Sequence, residues 1–454
     1  MKRIDELPDD ILLEIFDSYV GSPWYEGKAK EEEWQLLVHV CRRWRRLVLG
    51  SPRRLKLQLF CTPNTPVKDT LNVWPALPLI VHGNMTSSSS TDNVIAALEQ
   101  SNRVCYVNLF LAGWQLEQVL AAMQVPFPEL TDLWLKSDGE TMPVIPDSFL
   151  DGSATRLRSF NLSGIPLLGL PNLILSANHL VDLRLSEIPH SGYIPPKAMV
   201  VLLSVLSSLR TLEIGFQSPQ SRPDREPRRP LSKPFIMPAL ISLSFKGVIE
   251  YLEDLVTHID TPQLDRMGIT FFNQIEFDTP RLAQFINRTP KLRKHGARVH
   301  FDDYFARVGL PPGSRIIDIA ISCKEPDWQL SSIEQVCNSS LHPLSSAEDL
   351  YIDHEYSQLV WKNDAIENTL WLQLLLPFTA VKNLYLSKEF APGIAAALKE
   401  LVGSRITEVL PGLQNIFVEG LEPSGPFQEN IGPFVTARHL SDHPIVVSFW
   451  NKFW

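Results

Sequence analysis

The chain has 454 residues, 44% of them hydrophobic and 20% charged. That balance excludes a wholly disordered polymer. A net charge of −9 and a pI near 5.7 argue against a nucleic-acid footprint running along the whole sequence. No apolar run reaches the roughly 18 residues of a spanning helix, and MKRIDELPDD turns acidic too early for a secretory signal. A soluble protein of the cytoplasm or nucleus is expected, with no membrane and no nucleic-acid partner.

Leu7–Val20 reads as a helix. Pro8 suits a first helical position, and Asp9 and Asp10 complement the positive end of the macrodipole. Ile11, Leu12, Ile15, Phe16, Tyr19 and Val20 then form one broad apolar face. After Gly21-Ser22-Pro23 and a charged run, a second helix is predicted from about Glu32 to Leu49. Trp34, Leu37, Cys41, Trp44 and Val48 recur there at three- and four-residue spacing, and Arg42, Arg43, Arg45 and Arg46 crowd its C-terminal half. Two short amphipathic helices must pack on each other, on the rest of the chain or on a partner.

The wording of this segment is informative. Leu7-Pro8-Asp9-Asp10-Ile11-Leu12-Leu13-Glu14-Ile15-Phe16, followed by Val40-Cys41-Arg42-Arg43-Trp44-Arg45-Arg46-Leu47, resembles the F-box motif, and the opening is similar to fungal F-box proteins. The resemblance implies a small helical domain over residues 1–50 that docks on a Skp-type adaptor and, through it, a cullin–RING ubiquitin ligase. It would place Leu7, Pro8, Ile11, Leu12, Ile15 and Phe16 at the adaptor from the first helix. Val40, Cys41, Trp44 and Leu47 would complete the bundle and its contact surface. The stretch 21–33 is longer and more charged than the usual link, which a surface loop tolerates at small entropic cost.

Residues 51–103 read as a connector and an N-terminal cap. Ser51–Phe60 alternates like a strand, Thr62–Pro78 is Pro-rich, and Ser87–Ser90 reads as a flexible linker. Beyond it the template apolar-x-x-apolar-x-apolar recurs. Its first positions are Val104, Leu130, Leu157, Leu180, Leu209, Leu240, Leu264, Leu292, Ile316, Ala347, Val381 and Leu413. The spacing averages about 28 residues. Roughly one site in 25 would satisfy so loose a template by chance at this composition, so the matches alone decide nothing. The alternation with helical patterns carries the weight. These patterns include Gln115–Met123, Ala198–Ser207, Glu250–His258, Arg281–Asn287, Trp328–Cys337, Ile366–Leu376 and Ile394–Val402.

Strand plus helix at this period resembles the leucine-rich repeats of one F-box class. The expected fold is therefore α/β: a short helical F-box, irregular leucine-rich repeats over 104–425 in a solenoid with a curved parallel sheet, and a C-terminal cap or tail over 426–454. The Leu292 and Ala347 copies are poor, and an ordinary α/β domain with parallel strands competes with the solenoid. In a solenoid, the residues between the buried leucines line the open face. Trp134, Lys136, Arg184 and Glu213 are the candidate target-binding residues there, with Ser244, Thr270, Tyr385 and Phe417 in equivalent places.

Nothing in the sequence marks a catalytic residue, a cofactor or a metal. The five cysteines include no CxxC pair and suit reduced core thiols. His439 and His443 are four apart without a third ligand. Ser218–Lys233 reads as a solvated loop. The aromatic ending Phe449-Trp450-Asn451-Lys452-Phe453-Trp454 reads as a cap on the last repeat or as a docking peptide. A substrate-recognition subunit of a Skp–cullin–F-box type ubiquitin ligase is the leading expectation. A scaffold without a ligase role and an α/β enzyme are the alternatives.

Overall fold

A computed structural model describes residues 7–20, 33–50, 56–84, 88–138, 143–166, 170–221, 234–273, 277–292, 297–309, 317–323, 325–338, 342–354, 368–401, 403–420 and 425–451. Residues 222–233, most of the predicted Pro- and Arg-rich loop, lie outside this set, as do 21–32 and 452–454. The chain divides into two compact units. The first holds Met1–Ile194 with Val205–Thr211, the second Pro195–Ser204 with Leu212–Trp454.

The first unit opens with three helices, α1 (Asp9–Val20), α2 (Glu33–Val40) and α3 (Arg42–Gly50). The second helix expected from the sequence is thus two. The break falls at Cys41, whose Sγ accepts a hydrogen bond from the Trp44 amide while Arg45 Nε caps the Val38 carbonyl. One end is satisfied on each side of the break, so the chain can turn without orphaning backbone groups. Leu12, Leu13 and Phe16 of α1 are buried with Leu37, Leu47 and Val48, and the Phe16 and Trp44 rings lie 4.7 Å apart.

Strands and helices then alternate as β1 (Leu57–Phe60), α4 (Val67–Val73), β2 (Leu79–Asn84), α5 (Ser88–Leu98), β3 (Val104–Leu111), α6 (Gly113–Ala122), β4 (Asp132–Ser137), β5 (Ser159–Ser163), α7 (Leu170–Ser176) and β6 (Asp182–Ile188). The six strands pair in parallel, each with the next in sequence. Two expectations are corrected. The Pro-rich connector contains α4, and the serine run opens α5 rather than a flexible linker. Ser90 and Thr91 are buried there, with Thr91 Oγ1 accepting from Gln115 Nε2 at 3.1 Å.

The second unit runs through α8 (Pro196–Ser204), β7 (Thr211–Phe216), β8 (Phe235–Ile236), β9 (Ser242–Gly247), α9 (Ile249–His258), β10 (Ile259–Asp260), β11 (Arg266–Phe272) and α10 (Pro280–Arg288). It continues with β12 (Ala297–Phe301), β13 (Phe305–Gly309), β14 (Ile317–Ser322), α11 (Pro326–Asn338), β15 (Asp349–His354), α12 (Asn368–Leu375), β16 (Asn383–Leu386), α13 (Ala391–Lys399), β17 (Asn415–Glu419), α14 (Pro426–Leu440) and β18 (Val446–Trp450). Its main sheet has the order β7-β9-β11-β14-β13-β12-β15-β16-β17-β18. β8 and β10 pair with each other outside it, and the succession within the main sheet is reversed at one place. β14 pairs in parallel with β11, β12 with β15, and β13 runs antiparallel between β12 and β14. The weak Leu292 copy sits at this excursion, where Leu292 is buried but the strand starts five residues later, at Ala297. At the C-terminal end β18 pairs in parallel with β17, while residues 452–454 of the aromatic ending lie outside the described set.

The first residue of the sequence template has a structural meaning. The amides of Leu130, Leu157, Leu180, Leu209, Leu240, Leu264, Ala347, Val381 and Leu413 each donate to the carbonyl three residues earlier. Each thereby closes a turn just before its strand, and each side chain is buried. Burial then alternates along the strands, as in Leu133 and Leu135 against Trp134, or Leu183 and Leu185 against Arg184. Along most strands one face is therefore buried and the other is half-buried or exposed, with Ile80, Tyr106 and Asp353 buried on that second face. A doubly wound α/β domain would cover both faces.

Candidate interaction surfaces

The N-terminal helices divide the ten residues expected at an adaptor into two sets. Leu12, Phe16 and Leu47 are buried inside the bundle, with Leu7 and Trp44 half-buried. Ile11 (45% exposed), Ile15 (41%) and Val40 (57%) point outward with Tyr19, Leu36 and Leu49, and Pro8 and Cys41 are exposed as well. Arg43 holds the bundle from outside through Asp9 Oδ1 and the Leu7 carbonyl. Arg42, Arg45 and Arg46 of α3 are exposed as well.

On the open sheet face of the first unit, strand register aligns Phe60, His82, Asn108, Trp134, Asn161 and Arg184 in one row. Trp134, Lys136 and Arg184 thus do share a surface, as the template implied. Arg184 lies 5.9 Å over the Trp134 ring and pairs with Asp182, and Trp134 Nε1 donates to Ser159 Oγ at 3.3 Å. Lys136 lies 5.4 Å over the Phe110 ring. His82 stacks on Phe60 at 4.7 Å, and its Nε2 has no hydrogen-bond partner among the described residues. Burial drops its pKa to about 4, so it is neutral at physiological pH. Glu213 is half-buried on β7 of the second unit.

On the second unit's open face, register places Tyr351, Tyr385 and Phe417 side by side. Tyr351 and Tyr385 stack at 4.3 Å, Tyr385 and Phe417 at 4.7 Å. Trp450 meets Tyr385 edge-on at 5.5 Å and Tyr351 at 6.1 Å. Burial, with Asp349 and the neighbouring phenol adding to it, pushes the Tyr351 hydroxyl up to about 12. Below the rings runs a chain of amides: Asn415 Nδ2 donates to Asn383 Oδ1, and Asn383 Nδ2 to Asp349 Oδ1, each at 2.8 Å.

Beside this group lies a charged clip. Asp353 takes Arg298 Nε and Nη2 at 2.8 Å each and faces His300 Nδ1 at 2.6 Å. Burial alone would raise the Asp353 carboxyl, but the hydrogen bonds from His300 and Arg298 outweigh it and hold it below the ordinary aspartate range. The sequence reading named Tyr385 and Phe417 but missed Tyr351 and Trp450. Tyr351 occupies the same slot of the Ala347 copy that Trp134 occupies in its own, so the template contained the signal. Arg298, His300 and Asp353, which lie 53 and 55 residues apart, carried none.

Among the described residues no group of three or more His, Cys, Asp or Glu side chains is placed to hold a metal ion, and no helix is long and apolar enough to cross a membrane. Cys61, Cys105, Cys323 and Cys337 are buried thiols and Cys41 is exposed. Burial pushes Cys105 up to about 11, with Cys323 and Cys337 raised by the same cause. That is the opposite of an activated nucleophile. No family model and no curated protein matches the chain.

Proposed function

We propose that this chain is the target-recognition subunit of a Skp–cullin–F-box type ubiquitin ligase. Its N-terminal helices would dock on the adaptor, and its strand–helix repeats, read as a leucine-rich-repeat solenoid, would hold the target protein. The observation that carries the reading is the split within α1. Leu12 and Phe16 are buried in the bundle, while Ile11 and Ile15 remain exposed, as does Val40 of α2. An apolar stripe of this kind, next to the F-box wording of residues 7–16 and 40–47, marks an interaction site. On this reading the chain performs no chemistry. It raises the effective concentration of target lysines near a ubiquitin-loaded enzyme.

Co-expression with a Skp-type adaptor tests it. The two should co-purify, and Ile11→Asp with Ile15→Asp should abolish this. Burying two carboxylates in an apolar contact costs at least about 2 kcal/mol, roughly thirtyfold in affinity. Both positions are exposed, so the double variant should fold like the parent by circular dichroism. A folded parent that never binds the adaptor would refute the proposal.

A further inference from the structure

On the open sheet faces, three half-buried rings have a cation of the chain over them. Arg184 lies over Trp134, Lys136 over Phe110 and Lys246 over Phe272, the last at 6.0 Å. The largest ring group, Tyr351, Tyr385, Phe417 and Trp450, has no lysine or arginine over it among the described residues. Carboxylates flank it instead. Asp349 is two residues before Tyr351 on β15 and Glu419 two residues after Phe417 on β17, so both share the rings' face. Among the described residues neither has a cation within ion-pair reach: Lys382 pairs with Glu348 and Arg298 with Asp353.

We propose that the Tyr351–Tyr385–Phe417–Trp450 group, between Asp349 and Glu419, binds a lysine or arginine side chain presented by an extended segment of a partner protein. The partner thus supplies the kind of cation that Phe110, Trp134 and Phe272 obtain from within the chain. An ammonium or guanidinium gains from the negative ring faces and from the carboxylates together, and the half-buried setting limits competition from water. The four rings also offer the rigid aromatic area that dominates protein contacts. The inference rests on the target-holding role given above to the repeats and is independent of the adaptor contact.

The test uses the full chain and two probes, the peptides (Lys-Gly)5 and (Glu-Gly)5, with binding followed by calorimetry. The lysine peptide should bind and the glutamate peptide should not. Tyr385→Leu and Trp450→Leu, which leave the charge unchanged, should each weaken lysine-peptide binding at least about fivefold. Asp349→Asn with Glu419→Gln should weaken it similarly. The control pair Glu129→Gln and Asp147→Asn removes as much charge from the first unit and should change binding less than twofold. Equal losses in the control would reduce the effect to attraction by the net charge of −9 and overturn the proposal. So would full binding by a correctly folded Trp450→Leu variant. Adaptor co-purification is unaffected by these changes, so a failure here is separable from a failure of the receptor reading.

Discussion

Asp353→Asn is the substitution whose cost the structure defines best. The carboxylate sits on β15, its side chain 2% exposed, and ties down Arg298 and His300 on β12. These strands neighbour each other only because the chain makes its excursion through β12, β13 and β14. Removing one member of a buried charge pair costs about 3–5 kcal/mol. Arg298 retains 21% side-chain exposure and His300 14%, so water recovers part of this. About 2–3 kcal/mol is expected at pH 7.

The pH dependence follows from the depressed carboxyl. Its contribution is complete above the unfolded aspartate value of about 4 and is lost as pH falls through the lower folded value. Urea unfolding of parent and variant, followed by tryptophan fluorescence, should show a gap that is flat from about pH 8 to 5 and narrows toward pH 3. A variant within about 0.5 kcal/mol of the parent at pH 7 would refute the argument. So would a gap that widens on acidification.

Two further changes probe the backbone and the core. Gly164 has φ +73°, and a Cβ there would lie 2.1 Å from the Ser137 carbonyl oxygen; Gly164→Ala should cost about 2–4 kcal/mol by thermal unfolding. Arg438 is fully buried, lies 5.6 Å over the Phe434 ring and donates Nη2 to the Leu410 carbonyl at 2.7 Å, while Nε and Nη1 have no hydrogen-bond partner among the described residues. Relieving that buried cation through Arg438→Met should leave the urea midpoint unchanged or raise stability by about 1 kcal/mol. A loss above about 1 kcal/mol would show instead that the guanidinium holds Leu410, which has φ +50°, in its left-handed turn.

Much of the local architecture was legible in the residues. Leu130, Leu180 and Leu413 announce their turns and strands because a small strand–helix unit buries the same positions each time it recurs. The slot between the inner leucines identified Trp134, Arg184, Tyr385 and Phe417 as open-face residues for the same reason. The helical opening was readable from Pro8, Asp9 and the spacing that follows. The misses have local causes. Serines hid the start of α5, and Gly425, Gly432 and Pro433 interrupted any helical pattern in α14, which the fold nevertheless forms with Pro433 inside it.

Other features belong to tertiary structure alone. Whether Ile11 or Leu12 faces outward depends on how three helices pack, since both lie within one broad apolar face. The reversed placement of β12, β13 and β14 rests on pairings between distant segments. The Asp353 clip depends on that placement, because its charges are 53 and 55 residues apart. The sequence by itself determined the repeated unit and the alternation of buried and open positions, which are local periodicities. Only the tertiary structure decided which open-face side chains become neighbours, because strand register brings together residues that no spacing along the chain connects.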